Sequence, residues 1–337
     1  MPHGPTSEAI VFSRPGRLER RVLTLAQPGR DELLVEIEAS GISTGTEKLL
    51  WRGTMPAFPG LGYPLVPGYE AVGTVREAGP DCRLAPGTRV FVPGTSRWTE
   101  DVRGLFGASA SRLLVSEARV TALGDELPAE RGVLLALAAT AMHTLTARLR
   151  HAEGDGSSNA HVPLARLAAL APELVVGHGV LGRLLARIAI AVGAPAPLVW
   201  DNRASRRDGS RGYDVIDPSE DSGAPRARVT DVSGAGELLD TLIGKLARGG
   251  QVTLAGFYDV PLSFTFPPAF MREATLSVAA EWVPDDLALV LSLIEAGALE
   301  LDGLVSHQRP AEEAEAAYTQ AFDDPDCLKM ILHWSPV

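Results

Sequence analysis

The sequence predicts an α/β protein of two domains, a β-rich part first and a doubly wound parallel sheet second. Three observations predict it. Short β-type runs broken by Gly and Pro fill residues 8–125, strands alternate with helical runs from Leu174 onward, and residues 174–201 read strand, G-x-G-x-x-G, helix, strand, acid. A chain of 337 residues is long enough for about two cores.

In the first part, residues 9–13 and 33–37 have β-type composition, and LLVEIE becomes alternating towards its end. Pro and Gly dominate residues 53–68, and further strands are expected at 71–75 and 89–92. Such spacing suggests an antiparallel, barrel-like domain. The period changes over 128–150, where Val133, Leu134, Leu137, Ala138, Ala141 and Met142 recur at helical spacing behind Pro128. Residues 151–163 are polar and glycine-rich, and a mobile surface loop is expected there.

The stretch LVVGHGVLGRLLARIAIAVGAPAPLVWD (174–201) has the order of a dinucleotide-binding βαβ unit. Gly177 permits the turn, Gly179 lets pyrophosphate approach the backbone, and Gly182 lets helix and strand pack closely. The loop Gly177, His178, Gly179, Val180, Leu181, Gly182 then presents a helix N-terminus to the phosphates. Asp201 follows at about the 20-residue separation expected of a carboxylate that binds the adenosine ribose, so NAD is the expected cofactor. Arg203, Arg206 and Arg207 keep NADP open as the minority alternative.

Beyond Asp201, strands are expected at 228–231 and 251–255, helices at 237–246 and 285–296, and a turn at Gly249-Gly250. Ligands of such folds bind at the carboxyl ends of the strands. Asn202, Arg203, Asp231, Val232, Ser233, Ala255, Gly256 and Phe257 fall there and join the cofactor candidates, with Thr140 from the preceding helix. Large apolar side chains crowd the region after Gly256. Tyr258, Phe270 and Trp282, with Trp51, Met55 and Phe58 from the first domain, are expected to line a wide apolar substrate cleft.

The formal charge of −11 and scattered basic residues argue against a nucleic-acid partner. Two cysteines, Cys82 and Cys327, supply neither a disulfide framework nor a cysteine-rich metal site. The N-terminus lacks the pattern of a signal peptide and no apolar run spans a bilayer, so a soluble cytoplasmic protein is expected.

The order of parts resembles the medium-chain dehydrogenase/reductase superfamily over essentially the whole chain. EASGISTGTE, VPGYEAVGTV, ATAMHTL, VGHGVLGRLLA and DVSGAGELLDTLIGKLARGGQVTLAG carry the resemblance. It implies a GroES-like catalytic domain over 1–130, a Rossmann NAD-binding domain over 131–268, and a segment 269–337 returning to the first. It also implies a homodimer joined along Rossmann sheet edges. Zinc-dependent members place metal ligands where this chain has Ser43, Tyr69 and about Ala136, and the four-cysteine lobe is replaced by residues 93–104. Glu70, beside the family's metal site, is retained, and an enzyme without zinc is expected. The longer strings at 43–70 and 254–274 resemble a branch that acts on bacteriochlorophyllides. That implies oxidation of the 3-(1-hydroxyethyl) group of a tetrapyrrole to 3-acetyl with NAD, and peripheral membrane contact suits so apolar a substrate. A zinc-free NADPH-dependent enone or quinone reductase is the alternative enzyme. A nucleotide-binding protein without turnover is the alternative from another class.

Without zinc, a side chain or water chain must take the alcohol proton. Tyr69 is the first candidate, Glu70 would tune it, and Thr44 and Thr46 would extend a relay to solvent. Two readings of Tyr69 stand, a proton-handling phenol and a space-filling substitute for a lost ligand. His143 likewise reads as a core histidine or as a pocket and relay residue.

Overall fold

Among the described residues the strands of this sequence form three sheets. The computed structural model describes residues 4–57, 59–99, 101–153 and 162–335, in two units, residues 1–136 with 304–337 and residues 137–303.

In the first unit β1 (Thr6–Arg14) and β2 (Arg17–Thr24) form an antiparallel pair turned at Gly16. Strand β3 (Glu32–Ile42) is the spine, its apolar run buried almost throughout. It leads to α1 (Thr46–Arg52), and β4 (Ala71–Ala78), β5 (Arg89–Val92), β6 (Arg112–Ser116) and β7 (Thr121–Ala122) follow. β4 and β6 flank β3 in antiparallel register, and its burial along nearly its whole length shows why its hydrophobicity is near-continuous: both faces are covered. The expected antiparallel β domain is present. Short α2 (Ala129–Gly132) precedes α3 (Leu135–Glu153), so the single helix expected from 128 is interrupted near Val133. Part of the expected loop, residues 154–161, lies outside the described residues.

The second unit contains α4 (Leu164–Ala168), β8 (Leu174–Val176), α5 (Val180–Ala191), β9 (Leu198–Trp200), β10 (Val215–Ile216), β11 (Arg226–Asp231), α6 (Leu239–Gly244) and β12 (Leu246–Leu254). Then come α7 (Phe266–Arg272), β13 (Thr275–Val278) and α8 (Pro284–Glu295). Its six strands are parallel in the order β10-β9-β8-β11-β12-β13. In order of appearance that is 3-2-1-4-5-6, the doubly wound dinucleotide fold, with its switch point between β8 and β11. The chain makes its expected excursion at Gly249-Gly250 within the bounds of β12: Gly249 has φ 74°, and Leu246 to Gln251 lie opposite only Arg226 to Arg228 of β11 before regular pairing resumes.

The chain rejoins the first unit at Leu304, not at residue 269, because α7 and β13 complete the parallel sheet. β14 (His307–Pro310), α9 (Ala314–Asp323) and β15 (Met330–His333) follow, and β15 pairs antiparallel with β3. That pairing sets Lys329 beside the segment that leaves β3.

Candidate active site

The switch point of the second unit is built from three loops. Gly177, at φ 101°, follows β8, and a Cβ on it would stand 3.2 Å from Ser233 in the loop after β11. A Cβ on Gly256, after β12, would stand 2.8 Å from Gly234 N. At Gly182 a Cβ would stand 1.8 Å from the Gly177 carbonyl oxygen, so only glycine lets α5 start this close to β8. α5 accordingly begins at Val180, inside the glycine loop.

Asp201 closes this loop. Its Oδ2 accepts the His178 backbone N–H at 2.9 Å and its Oδ1 accepts the Arg203 N–H at 2.9 Å. Each oxygen keeps a lone pair for a ribose hydroxyl, so the residues fit a dinucleotide. The His178 imidazole does not face a ligand. Its Nδ1–H donates to the Arg206 carbonyl at 2.6 Å, which leaves Nε2 to accept the Tyr213 hydroxyl at 2.8 Å. Burial, foremost, pushes the ring pKa down to about 4, so the imidazole is a neutral strut and only its backbone belongs to the loop.

Asp231 is buried and shapes the second loop. Its Oδ1 accepts the Ser233 N–H (2.9 Å) and hydroxyl (2.6 Å), and its Oδ2 accepts the Tyr258 hydroxyl (2.6 Å). Tyr258, expected at the substrate, is thus tied to the nucleotide-side loops, and burial beside Asp231 raises its phenol above the ordinary range. The Val232 N–H bonds the β8 carbonyl of Val176, and the N–H groups of Ala255 and Gly256 both bond the Asp231 carbonyl. Asn202 and Phe257 are exposed near these loops and Thr140 is half-buried on α3. On the same helix, the His143 Nδ1–H donates to Asp286 Oδ2 at 2.7 Å. Asp286 Oδ1 accepts the Thr146 hydroxyl at 2.5 Å, and Oδ2 also accepts the Val283 N–H at 2.9 Å.

The first unit gathers the remaining chemistry. Tyr69, half-buried before β4, donates its hydroxyl proton to Ser43 Oγ at 2.8 Å and packs edge-on against Phe106. Thr46, at the start of α1, also faces this phenol, whereas Thr44 is half-buried beside Ser43. Burial and the negative charge of Glu70 hold the Tyr69 phenol above its usual range. Glu70 is fully buried and ion-paired to buried Lys329. Burial raises the Glu70 carboxyl, and Lys329 opposes that rise. Glu47, also fully buried, accepts the Ser43 N–H at 2.9 Å and the Tyr318 hydroxyl at 3.0 Å, and burial pushes its pKa up to about 7.

Glu47, Lys329 and Tyr318 escape the sequence reading. Glu47 stands in the quoted string EASGISTGTE, and Lys329 interrupts the apolar run from Cys327 to Leu332, which is the one signal a reader has. The candidates for the apolar wall come from both units. Trp51 packs on Phe12 and Phe322 in the first core, and Met55 lies against the same core. Phe270 packs on Phe266 on an exposed face of α7, Trp282 is half-buried before α8, and Phe58 lies outside the described residues. Among the described residues no group of three or more His, Cys, Asp or Glu side chains is placed to hold a metal ion, and no helix is long and apolar enough to cross a membrane.

Residues 29–125 match the alcohol dehydrogenase GroES-like domain. Over 97 % of its length the chain is 49 % identical to the 2-desacetyl-2-hydroxyethyl bacteriochlorophyllide A dehydrogenase of Rhodobacter capsulatus, covering 98 % of that protein. It is 50 % identical to the protein of the same name from Cereibacter sphaeroides, again over 97 % of this chain and 98 % of the relative. Among solved structures, an alcohol dehydrogenase from E. coli CFT073 in complex with NADH superposes with a TM-score of 0.78 at 17 % identity, over 98 % of this chain and 100 % of that one. A protein from Sinorhizobium meliloti 1021 bound to NADP gives 0.76 at 20 % identity, over 98 % and 99 %. These two likenesses are of fold.

Proposed function

This chain belongs to the 2-desacetyl-2-hydroxyethyl bacteriochlorophyllide A dehydrogenase family of the medium-chain dehydrogenase/reductase superfamily, and on that premise we propose that it oxidises the 3-(1-hydroxyethyl) group of a bacteriochlorophyllide to 3-acetyl. The observation that carries the reading is identity of about one residue in two, end to end, to two dehydrogenases of that name.

NAD is the cofactor we assign, and it supplies the acceptor for the hydride removed from the carbinol carbon. Gly179 would let its pyrophosphate approach the backbone, Gly177 and Gly182 hold the turn and the close start of α5 on β8, and the backbone N–H groups there would meet the phosphate charge. Asp201, pinned by His178 and Arg203, faces the ribose hydroxyls and repels a 2′-phosphate. Tyr69 holds the alcohol oxygen and passes its proton to Ser43, with Thr46 and Thr44 carrying it outward. A phenol held above its usual range stays protonated at neutral pH, so it acts as a hydrogen-bonding relay and not as a resting phenolate. His143, its tautomer fixed by Asp286, presents Nε2 as a second proton carrier.

The reaction needs no zinc in this reading, because Ser43, Tyr69 and Ala136 replace the ligands of zinc-dependent relatives. We also assign a cytoplasmic homodimer in passing contact with the membrane that holds its pigment. The test mixes chelator-treated protein with 3-hydroxyethyl bacteriochlorophyllide and either NAD or NADP, following the macrocycle spectrum and NAD(P)H fluorescence. Formation of the 3-acetyl product with NAD is expected. No conversion with either cofactor, in folded protein that binds NADH, would overturn the assignment, and reduction of an enone with NADPH would replace it.

A further inference from the structure

Beneath the Tyr69–Ser43 pair lies a buried group of three charges. Glu47 and Glu70 are 0 % exposed and Lys329 is 1 % exposed, so one ammonium faces two carboxylates away from water. The fold makes room for them deliberately at Gly41, where a Cβ would stand 2.5 Å from Glu70 Oε2 and 2.9 Å from Lys329 Nζ. Burying charges is costly, and well-packed apolar side chains would serve stability as well or better. A reason beyond packing is therefore required.

The hydrogen bonds supply one. Glu47 Oε1 takes the Ser43 N–H at 2.9 Å while Oε2 takes the Tyr318 hydroxyl at 3.0 Å, so the carboxylate is braced from α9 as it holds the residue that receives the Tyr69 proton. Glu70 follows Tyr69 directly in the chain. Its Oε1 is buried and has no hydrogen-bond partner among the described residues, so the carboxylate depends on Lys329 at its other oxygen. Both ends of the Tyr69–Ser43 hydrogen bond are thereby anchored to the same charge group.

We propose that Glu47 and Lys329 are positioning residues, which together fix the direction in which the Tyr69 phenol and the Ser43 hydroxyl meet. The inference rests on the reading of Tyr69 as the group that handles the substrate proton. Neither residue touches the substrate in this account; each acts through its neighbour.

The test uses the full-length protein with ¹³Cζ-tyrosine, the Tyr69 resonance being identified by its loss in Tyr69→Phe, alongside steady-state kinetics. Glu47→Gln keeps the shape and the acceptor for the Ser43 N–H but removes the charge and turns the oxygen that receives the Tyr318 hydroxyl into an NH2 donor, and it is expected to shift the Tyr69 resonance and lower kcat about tenfold or more, with KM for pigment and NAD within about twofold. Lys329→Met is expected to do the same more strongly, and Lys329→Arg to recover part of the loss. If Lys329→Met does not fold, Glu47→Gln decides alone. A folded Glu47→Gln protein with an unmoved resonance overturns the positioning role, whatever the turnover. A shifted resonance in a protein whose wild type leaves the hydroxyethyl pigment unchanged removes the substrate reading and keeps the positioning.

Discussion

The Tyr69 phenol donates to Ser43 Oγ across 2.8 Å, joining the segment before β4 to the segment after β3. Replacing the phenol by Phe deletes this donor yet keeps the ring that packs 5.3 Å from Phe106. Tyr69→Phe is therefore expected to lower kcat on the order of 10²-fold, the usual weight of a positioned proton-transfer group. NADH affinity should stay at the wild-type value. A Tyr69→Phe enzyme with undiminished kcat would leave the phenol a packing group only.

Glu47 and His178 bend stability in opposite directions with pH. The folded Glu47 carboxyl titrates at about 7 against an ordinary 4.5, so the folded state binds the proton more tightly; the stability it adds is present below 4.5 and is lost as pH rises through 7. Folded His178 titrates at about 4 against 6.5, so its stability is present above 6.5 and is lost as pH falls through 4. Each shift is worth about 3 kcal/mol. The Tm of Glu47→Gln relative to wild type is expected to climb between about pH 5 and pH 7.5, because the variant has no buried carboxyl to ionise. A difference that stays flat over that range contradicts the assignment.

The βαβ core was legible because its signals are local. Gly177, Gly182 and Asp201 lie within one stretch, and each is needed by the geometry of a single turn or helix start. The Asp201 contacts with His178 and Arg203 are short in sequence for the same reason. The charge group under Tyr69 was not legible, since Glu47, Glu70 and Lys329 come from three separate segments and meet through the pairing of β3 with both β4 and β15. Composition sorts Trp51 and Phe270 together as large apolar residues, but nothing local tells that one enters a core and the other stays exposed. The two-residue β10 is likewise too short for any periodicity to reveal.

Cofactor choice can be read at Asp201. Its two oxygens already hold two backbone N–H groups, so Asp201→Ala removes both the ribose partner and a brace of the glycine loop. Asp201→Asn keeps one acceptor oxygen and separates the two effects. Fluorescence titration of the reduced cofactors is expected to show Asp201→Ala losing affinity for NADH about tenfold more than for NADPH, consistent with loss of one charged hydrogen bond and of repulsion toward a 2′-phosphate. Equal losses for both would remove the discriminating role and leave the carboxylate a loop brace.

The proposed homodimer is tested at β13. Among the described residues this strand ends the parallel sheet, pairing only with β12, and it leaves Val278 71 % exposed. Beside it Phe266, Phe270 and Met271 are 65 %, 64 % and 70 % exposed on α7. An unpaired, apolar strand edge invites another strand unless it is charged or covered, and a second copy can cover it by the same patch across a two-fold axis. Val278→Lys places a charge at the centre of that contact. Sedimentation is expected to give a dimer for the wild type and a concentration-dependent shift to monomer for Val278→Lys. A wild-type protein that sediments as a monomer at micromolar concentration would exclude this edge as the joining surface.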